Sequence, residues 1–168
     1  MKELLNQINL TPLLEYLPKE LHSDFLGEAG REHYRFLNHI CKDKNLVYDI
    51  GTYRGSSSIA MSSAKEVRSF DIENFCIVEK KDNITYSLDE YLNEDILKAD
   101  IILIDTAHVG DDEKDMLDYL DSINYKGLVI MDDINAFEGM TKLWETVTRR
   151  KELINYGHYT GTGLIYFE

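Results

Sequence analysis

Short apolar runs alternate along the chain with segments in which apolar residues recur at helical spacing. The runs predict strands at residues 46–50, 66–71, 84–86, 101–105 and 128–132. The spacing between them predicts helices at 56–64, 88–96, 116–123 and 140–147. Asn135 and Glu138 are spaced as in a capping box, which predicts the start of the last helix. Alternating strands and helices indicate an α/β fold with a doubly wound, mostly parallel sheet.

The two ends of the chain depart from this alternation. Before the first strand, Pro12 and Pro18 interrupt apolar clusters, which predicts short helices and turns, and a longer helix is expected from Gly30 to Cys41. After the last helix, strand-like residues 153–159 and 164–167 are separated by only four residues, which predicts a C-terminal antiparallel hairpin with 164–167 as an interior strand. We expect one domain over residues 1–168, with an N-terminal helical segment at 1–44 and a Rossmann-like core at 45–168.

The turn after the first strand carries the most informative pattern in the sequence. Asp49 ends the apolar run, and Gly51 and Gly55 follow at a spacing of four residues. Glycine lets backbone approach a ligand where a side chain would collide. Ser56 and Ser57 then open an apolar segment, so that one serine is expected to cap a helix that points its N–H groups at the ligand.

Several predicted strands end in an acidic residue. These residues are Asp49, Asp71, Asp105 and the pair Asp132 and Asp133. Ligands of open parallel sheets bind beyond the carboxyl ends of the strands, where these acids would meet. Asp71 follows the first glycine by about the distance at which an acid binds the ribose hydroxyls of a nucleoside. A single such aspartate would suit a turn or helix cap equally well, but several together favour a site.

A second group of candidate residues consists of Asp105, His108, Asp132 and Asp133. Neighbouring strands would bring the three carboxylates together, and like charges oppose ionisation unless a cation joins them. Mg²⁺ accepts such oxygen ligands, so these acids are candidate metal ligands, with solvent exposure or helix capping as the alternative for Asp133. His108 is a candidate general base or else a surface loop residue. Glu32 and His33, at a helix start, are weaker candidates to close over a ligand.

Composition limits the partners of the protein. There are 31 acidic and 18 basic residues, a net charge of −13, which disfavours nucleic acid because its binding depends on neutralising phosphates. The basic run 149–151 is expected to be a helix C-terminus. The two cysteines, Cys41 and Cys76, form neither a metal motif nor a disulfide framework. With no signal peptide or long apolar span, we expect a cytoplasmic protein that does not contact a membrane.

Asp49, Gly51, Gly55 and Ser56 resemble the signature of class I S-adenosylmethionine-dependent methyltransferases, an acidic residue followed by Gly-x-x-x-Gly and a small residue. The resemblance runs from about residue 30 to residue 168 and includes the terminal hairpin of that fold. Residues 103–108 and 127–134 are similar to the metal-dependent small-molecule O-methyltransferases, a group that includes macrolide and catechol enzymes.

The resemblance implies roles for individual residues. It places Gly51, Thr52, Tyr53, Gly55, Ser56 and Ser57 around the methionine part of the cofactor, Asp49 near its amino group, Asp71 at the ribose and Asp89 near the adenine. Asp105, Asp132 and Asp133 match the metal ligands, and Asp105 also borders the cofactor. His108 stands where catechol-type enzymes have a lysine base, and Ala107 replaces an acid of the macrolide type. The short segment between Asp71 and Ile84 implies a thinned adenine wall.

The leading hypothesis is therefore an S-adenosylmethionine-dependent O-methyltransferase that uses a divalent cation such as Mg²⁺ and acts on a small hydroxylated acceptor. An open acceptor pocket, or one completed by a second copy in a homo-oligomer, would follow from the short N-terminal region. An NAD-dependent oxidoreductase would also use Asp71, but the glycine spacing lacks Gly-x-Gly-x-x-Gly. A second class of function is a cofactor-binding module that has lost turnover and acts through a partner.

Overall fold

The computed structural model describes residues 1–28, 32–88 and 94–168. The strands in these residues are β1 Leu46–Ile50, β2 Glu66–Phe70, β3 Ile84–Ser87, β4 Ile101–Ile104, β5 Gly127–Met131, β6 Lys151–Ile154 and β7 Thr162–Phe167. The α-helices are α1 Lys2–Leu5, α2 His33–Cys41, α3 Ser56–Met61, α4 Asp111–Ser122 and α5 Glu138–Thr146. Shorter helical turns lie at Thr11–Tyr16, Lys19–Leu21, Asp24–Glu28 and Glu94–Lys98.

The seven strands form one sheet in the order β3-β2-β1-β4-β5-β7-β6. Strands β1 to β5 are parallel, and β7 runs antiparallel to both β5 and β6. The sheet confirms the expected α/β fold with a C-terminal antiparallel hairpin. Strand order and hairpin together are those of the class I methyltransferase fold. No helix in the described part of the chain is both long and apolar enough to cross a membrane.

Both faces of the sheet are buried, and successive residues of a strand serve opposite faces. In β4, Ile101 and Leu103 pack with the N-terminal segment, α2 and α3. Ile102 and Ile104 pack on the other face with α4 and α5. All four side chains are at most 1% exposed, which explains why the strand is a continuous apolar run in the sequence.

Strand β7 lies inside the sheet although it is the last segment of the chain. Leu164 pairs with Ile130 of β5 on one side and with Glu152 of β6 on the other. Ile165 is fully buried, and Phe167 is 3% exposed. The sequence-based expectation of an interior C-terminal strand is confirmed.

Two helix starts differ from the sequence-based expectation. Helix α5 is capped at Phe137 rather than at Asn135, because the N–H of Asn135 donates to the carbonyl of Thr160 in the hairpin turn. Helix α3 is capped by Gly55 with a φ of 95°, and no serine side chain caps it. Its serines lie inside the helix and serve a different purpose, described below.

The basic run also differs from expectation, because α5 ends at Thr146 and Lys151 already belongs to β6. Arg149 stacks on the Phe167 ring and pairs with Asp121, so this charge anchors a turn between helix and sheet.

The crossover between β2 and β3 is short, as the sequence predicts. Residues 71–83 contain no helix. Of the helix expected at 88–96, residues 89–93 lie outside the described part of the chain, and Glu94–Lys98 is a 3₁₀ turn. Asp89, the expected adenine contact, is among the residues outside the description.

Removal of the last six residues should unfold the protein, because β5 would lose one of its two neighbouring strands, β6 would lose the strand it pairs with, and buried side chains would become exposed. Thermal melting followed by circular dichroism would measure this. Removal of Glu168 alone is the control, since in the described part of the chain this residue contacts Arg150 through its side chain and Lys126 through its carbonyl, and such exposed contacts contribute little. A six-residue truncation that keeps the parent melting temperature would contradict the interior role of β7.

Candidate functional site

A cleft of about 780 Å³ opens at the carboxyl ends of β1, β2 and β4. Its volume lies in the range of small-ligand pockets, about 300–1,000 Å³. Five of the expected site residues line it: Gly51, Tyr53, Asp71, Asp105 and His108. The remaining expected residues in the described part of the chain do not line it: Asp49, Thr52, Gly55, Ser56, Ser57 and Asp132 are buried, and Asp133 is half-buried.

The turn after β1 passes very close to the end of β4. Gly51 has a φ of 89°, and a Cβ at this position would lie 1.9 Å from the carbonyl oxygen of Asp105. The N–H groups of Gly51 and Thr52 donate to the carbonyl of Phe70 at 2.9 and 3.2 Å. The approach of two backbone segments therefore requires this glycine, independently of any ligand. The same contact holds the glycine turn beside Asp105.

Asp49 is fully buried behind this turn. Its Oδ2 accepts hydrogen bonds from the hydroxyls of Ser57, at 2.8 Å, and Ser58. Burial raises the pKa of Asp49 to about 6, against the opposing effect of these hydroxyls. Its Oδ1 has no hydrogen-bond partner among the described residues. Asp49 thus orders the first turn of α3 and keeps an acceptor that a water molecule or a ligand amine would satisfy.

The far side of the cleft combines a carboxylate with an apolar wall. Asp71 accepts the N–H of Tyr53 at 2.7 Å through Oδ2 and the N–H of Ile72 at 2.7 Å through Oδ1. Oδ1 also accepts the N–H of Glu73 at 3.3 Å, so the acceptor site that remains for a hydroxyl group is on Oδ2. Ile72, Phe75 and Leu88 stand around the carboxylate with 90%, 44% and 58% of their surface exposed. This pairing suits a ligand with a hydroxyl group and a flat ring.

His108 connects two of the expected acids. Its Nε2 lies 3.2 Å from Asp105 Oδ1 and 3.4 Å from Asp133 Oδ2. The ring stacks on Phe137 at a centroid distance of 6.2 Å. The imidazole thus stands between the acids that end β4 and those that end β5, on the wall of the cleft.

Three non-glycine residues at this edge of the sheet have a left-handed backbone. They are Tyr53, His108 and Asp133, with φ of 47°, 58° and 56°. Such a conformation costs of order 1–2 kcal/mol for each residue. Strained residues of this kind cluster at functional sites. Their position supports the view that this edge is the site.

The C-terminal hairpin adds a histidine that the sequence did not suggest. His158 Nδ1 lies 2.6 Å from Asp133 Oδ1 and 3.9 Å from Asp132 Oδ2. The backbone N–H of His158 donates to the Thr162 hydroxyl, which is 3.3 Å from Asp132 Oδ1. Ligand-type atoms of Asp132, Asp133 and His158 all lie within 4.8 Å of one another. The hairpin therefore completes a group of residues suited to a metal ion.

Burial and crowding shift the pKa values of these groups. Burial raises the pKa of Asp132 to about 6 and also raises the pKa of Asp105. For Asp133 burial is the largest single effect and raises the pKa, but the hydrogen bonds from His158 and Thr160 and the nearby histidine charges together outweigh it, so the pKa is lowered. Burial lowers the pKa of His33, whose Nε2 lies 3.8 Å from Asp132 Oδ2, to about 4, so that this imidazole is neutral near pH 7. A cation would relieve the crowded negative charge.

Glu113 holds the loop that carries His108. This side chain is fully buried in the first turn of α4. Its Oε1 accepts the Thr106 hydroxyl at 2.6 Å and the His108 N–H at 2.8 Å, and its Oε2 accepts the Gly110 N–H at 2.8 Å. Burial opposes ionisation, but these three donors outweigh it and lower the pKa of Glu113. The carboxylate therefore fixes the conformation of residues 106–110.

The sequence-based site is thus brought together in part. The structure gathers Gly51, Asp71, Asp105 and His108 around one cleft, and it joins Asp132 and Asp133 to His158. Glu113 and His158 were missed. The Gly110-x-x-Glu113 spacing, half of a capping box, could have indicated Glu113, whereas no local pattern marks His158.

No protein-family model matches the sequence, and neither does any curated protein. Solved structures do match. A methyltransferase from Geobacter sulfurreducens superposes with a TM-score of 0.60 at 17% identity, covering 99% of this chain and 95% of that one. A proposed caffeoyl-CoA O-methyltransferase from Staphylococcus aureus gives 0.59 at 15% identity, with 99% of each chain covered.

A Podospora anserina methyltransferase with bound SAH gives a TM-score of 0.61 at 12% identity, over 91% of this chain and 89% of that one. At these identities the comparisons show the fold alone. The chain thus has the fold of S-adenosylmethionine-dependent methyltransferases.

Replacement of Glu113 by Gln should destabilise the protein by about 2–3 kcal/mol, because a charged acceptor of buried N–H groups is lost. Urea unfolding would measure this. Glu138→Gln is the matched control, since that side chain is 81% exposed and pairs only with Lys142, and it should change stability by less than about 0.5 kcal/mol. Equal effects of the two variants would contradict the role of Glu113.

The effect of Glu113→Gln should also depend on pH. Because the folded pKa of Glu113 lies below its ordinary value of 4.5, the ionised side chain stabilises the fold above that pH, and this contribution is lost as the pH falls through the folded pKa. The difference in unfolding free energy between parent and variant should therefore shrink from about pH 5 to about pH 3. A difference that stays constant over this range would show that the charge is not responsible.

Proposed function

We propose that the protein transfers a methyl group from S-adenosylmethionine to a hydroxyl oxygen of a small acceptor, with a divalent cation bound beside the acceptor. One observation carries this proposal. Gly51 and Asp71, where the cofactor is expected, line the same cleft as Asp105 and His108. His108 in turn contacts Asp133, the neighbour of Asp132. A nucleoside-binding half and an acid–histidine half thus share one cavity.

The residues present fit the cofactor. Asp71 keeps an acceptor site on Oδ2 for a ribose hydroxyl, and exposed Ile72, Phe75 and Leu88 offer apolar surface for a flat base. The unpartnered Oδ1 of Asp49 lies behind the turn that would surround the methionine part. When bound, S-adenosylmethionine supplies the reactive methyl group, and the protein's part is to bind and orient it.

The residues also fit a cation. The ion-pair partners of Asp105, Asp132 and Asp133 among the described residues are histidines only. When bound, a divalent cation lowers the pKa of a neighbouring hydroxyl and neutralises the crowded acids. The carboxylates of Asp132 and Asp133 would hold the ion. Asp105 lies on the other side of the His108 ring from Asp133.

His108 is placed to accept the proton of the acceptor hydroxyl. It lines the cleft, and although burial alone would lower the pKa of the imidazole, the hydrogen bond to Asp105 and the charges of the neighbouring aspartates together raise it. A base works best when its pKa lies near the working pH, and histidine starts from about 6.5. Asp105 would stabilise the imidazolium that forms.

A second candidate is a binding module that keeps the cofactor without turnover. The absence of a helix in residues 71–83 favours it, because this leaves Ile72 and the adenine side of the cleft exposed. Methyl transfer to any acceptor separates the two functions.

Asp71→Ala should weaken binding of S-adenosylhomocysteine by about 10–100-fold, since hydrogen bonds to a charged acceptor contribute about 1.5–3 kcal/mol. Isothermal titration calorimetry measures the affinity. Asp82→Ala, an exposed aspartate in the turn before β3, is the control and should bind as the parent does. Equal affinity of the Asp71 and Asp82 variants would remove the ribose role of Asp71.

Methyl transfer from labelled S-adenosylmethionine to a panel of catechols, phenols and sugars tests the activity itself. Asp132→Ala or exhaustive chelation should abolish turnover and leave S-adenosylhomocysteine affinity nearly unchanged. His108→Ala should lower the rate by roughly a hundredfold, and His39→Ala in α2 serves as the histidine control. Full activity after chelation would remove the cation from the mechanism. Cofactor binding with no transfer to any acceptor would favour the binding module.

A further inference from the structure

We propose that His158 is a metal ligand together with Asp132 and Asp133, which makes the site a mixed nitrogen and oxygen site that prefers a transition-metal ion to Mg²⁺. The inference deepens the proposed function. The role of the ion in methyl transfer rests on that function, whereas the binding of the ion does not. It differs from the all-oxygen site of Asp105, Asp132 and Asp133 that the sequence predicts.

The three donors are already gathered in the folded protein. Asp132 and Asp133 directly follow β5, and His158 comes from the turn between β6 and β7. Their ligand-type atoms all lie within 4.8 Å of one another. Two donors that bind one ion at about 2.1 Å each lie about 3–4 Å apart. Small side-chain movements would therefore bring all three donors onto a single ion.

The backbone fixes His158 in this position. Ile134 N–H donates to the carbonyl of Gly161 at 3.1 Å, and Asn135 N–H donates to that of Thr160 at 2.7 Å. The loop after β5 is thus hydrogen-bonded to the turn that carries His158. Thr160 also contacts Asp133 Oδ1 directly. The donors belong to two segments that are joined to each other, so the site is largely formed before an ion binds.

A buried histidine gives independent support. His33 is 4% exposed, and its Nε2 lies 3.8 Å from Asp132 Oδ2, too far for a hydrogen bond. Its Nδ1 has no partner among the described residues. Its ring also packs edge-on against His158 at 5.3 Å. A buried imidazole with one unpartnered nitrogen, whose other nitrogen faces Asp132 beyond hydrogen-bond distance, indicates that the group lacks a component, and His33 is placed as an outer partner of the metal ligands.

The third expected acid is held away from this group. His108 Nε2 is 3.2 Å from Asp105 Oδ1 and 3.4 Å from Asp133 Oδ2, so an imidazole occupies the space between the two carboxylates. The convergent donors are therefore two carboxylates and one imidazole. Mg²⁺ favours oxygen ligands and near-ideal octahedral geometry. Imidazole favours ions such as Zn²⁺, Fe²⁺, Co²⁺ and Ni²⁺.

Calorimetric titration of the metal-free full chain with Co²⁺ and with Mg²⁺ tests the proposal. Most nitrogen and oxygen sites bind Co²⁺ more tightly than Mg²⁺, so the effect of removing the imidazole is the informative quantity. His158→Asn should weaken Co²⁺ binding by about a hundredfold or more, because even outer partners of metal ligands account for 10–100-fold. Mg²⁺ affinity should change by less than about threefold. His39→Asn is the matched control and should leave both affinities unchanged.

Unchanged Co²⁺ affinity in folded His158→Asn would overturn the proposal, as would a parent protein that binds neither ion at millimolar concentration. Circular dichroism checks folding, and His158→Gln replaces the first variant if that one unfolds. The readout requires neither cofactor nor acceptor. Failure of S-adenosylhomocysteine binding or of methyl transfer would therefore count against the proposed function and leave the metal result standing.

Discussion

The close approach of two backbone segments is the constraint on which the candidate site depends. Gly51, after β1, and Asp105, after β4, lie so near each other that a Cβ at residue 51 would fall 1.9 Å from the Asp105 carbonyl oxygen. This contact is possible because β1 and β4 are neighbours in a parallel sheet and end together. It places the turn expected to bind the cofactor directly beside Asp105, whose carboxylate contacts His108. Chain topology therefore joins the two halves of the cleft.

Charge is the second feature that makes this edge distinctive. Buried or half-buried acids at the ends of β1, β4 and β5 are compensated by hydroxyls and histidines rather than by lysine or arginine in the described residues. Such an arrangement lowers stability, and it persists because the sheet fixes the backbone on both sides. A protein with 31 acidic and 18 basic residues could have dispersed these charges over its surface. Their concentration at one edge of the sheet, in and behind the cleft, argues for a cationic ligand or cofactor there.

The sequence predicted the parallel strands well because a strand buried on both faces must be apolar throughout, as β4 is, whereas the partly exposed strand expected at 153–159 lies at Lys151–Ile154. It also predicted which acids end those strands, and two of them, Asp71 and Asp105, line the cleft. Local signals failed where tertiary contacts decide. Asn135 resembles a helix cap, but its backbone bonds to Thr160 of the hairpin instead. The serines of α3 bind Asp49 rather than capping the helix. His158 enters the site from a turn 25 residues after Asp133, and no spacing rule reveals that contact.

The protein is proposed to hold a nucleoside in the cleft at Asp71 and a metal ion next to the cleft, behind His108, at Asp132 and Asp133. Crystallography of the protein soaked with S-adenosylhomocysteine and Mn²⁺, with data collected at the manganese absorption edge, tests this most directly. The expected result is density for adenosine in the cleft, with the ribose at the Asp71 carboxylate and the base against Ile72. An anomalous peak is expected within bonding distance of the carboxylates of Asp132 and Asp133. Nucleoside density elsewhere, or a manganese peak away from these acids with the cleft left empty, would contradict this proposal.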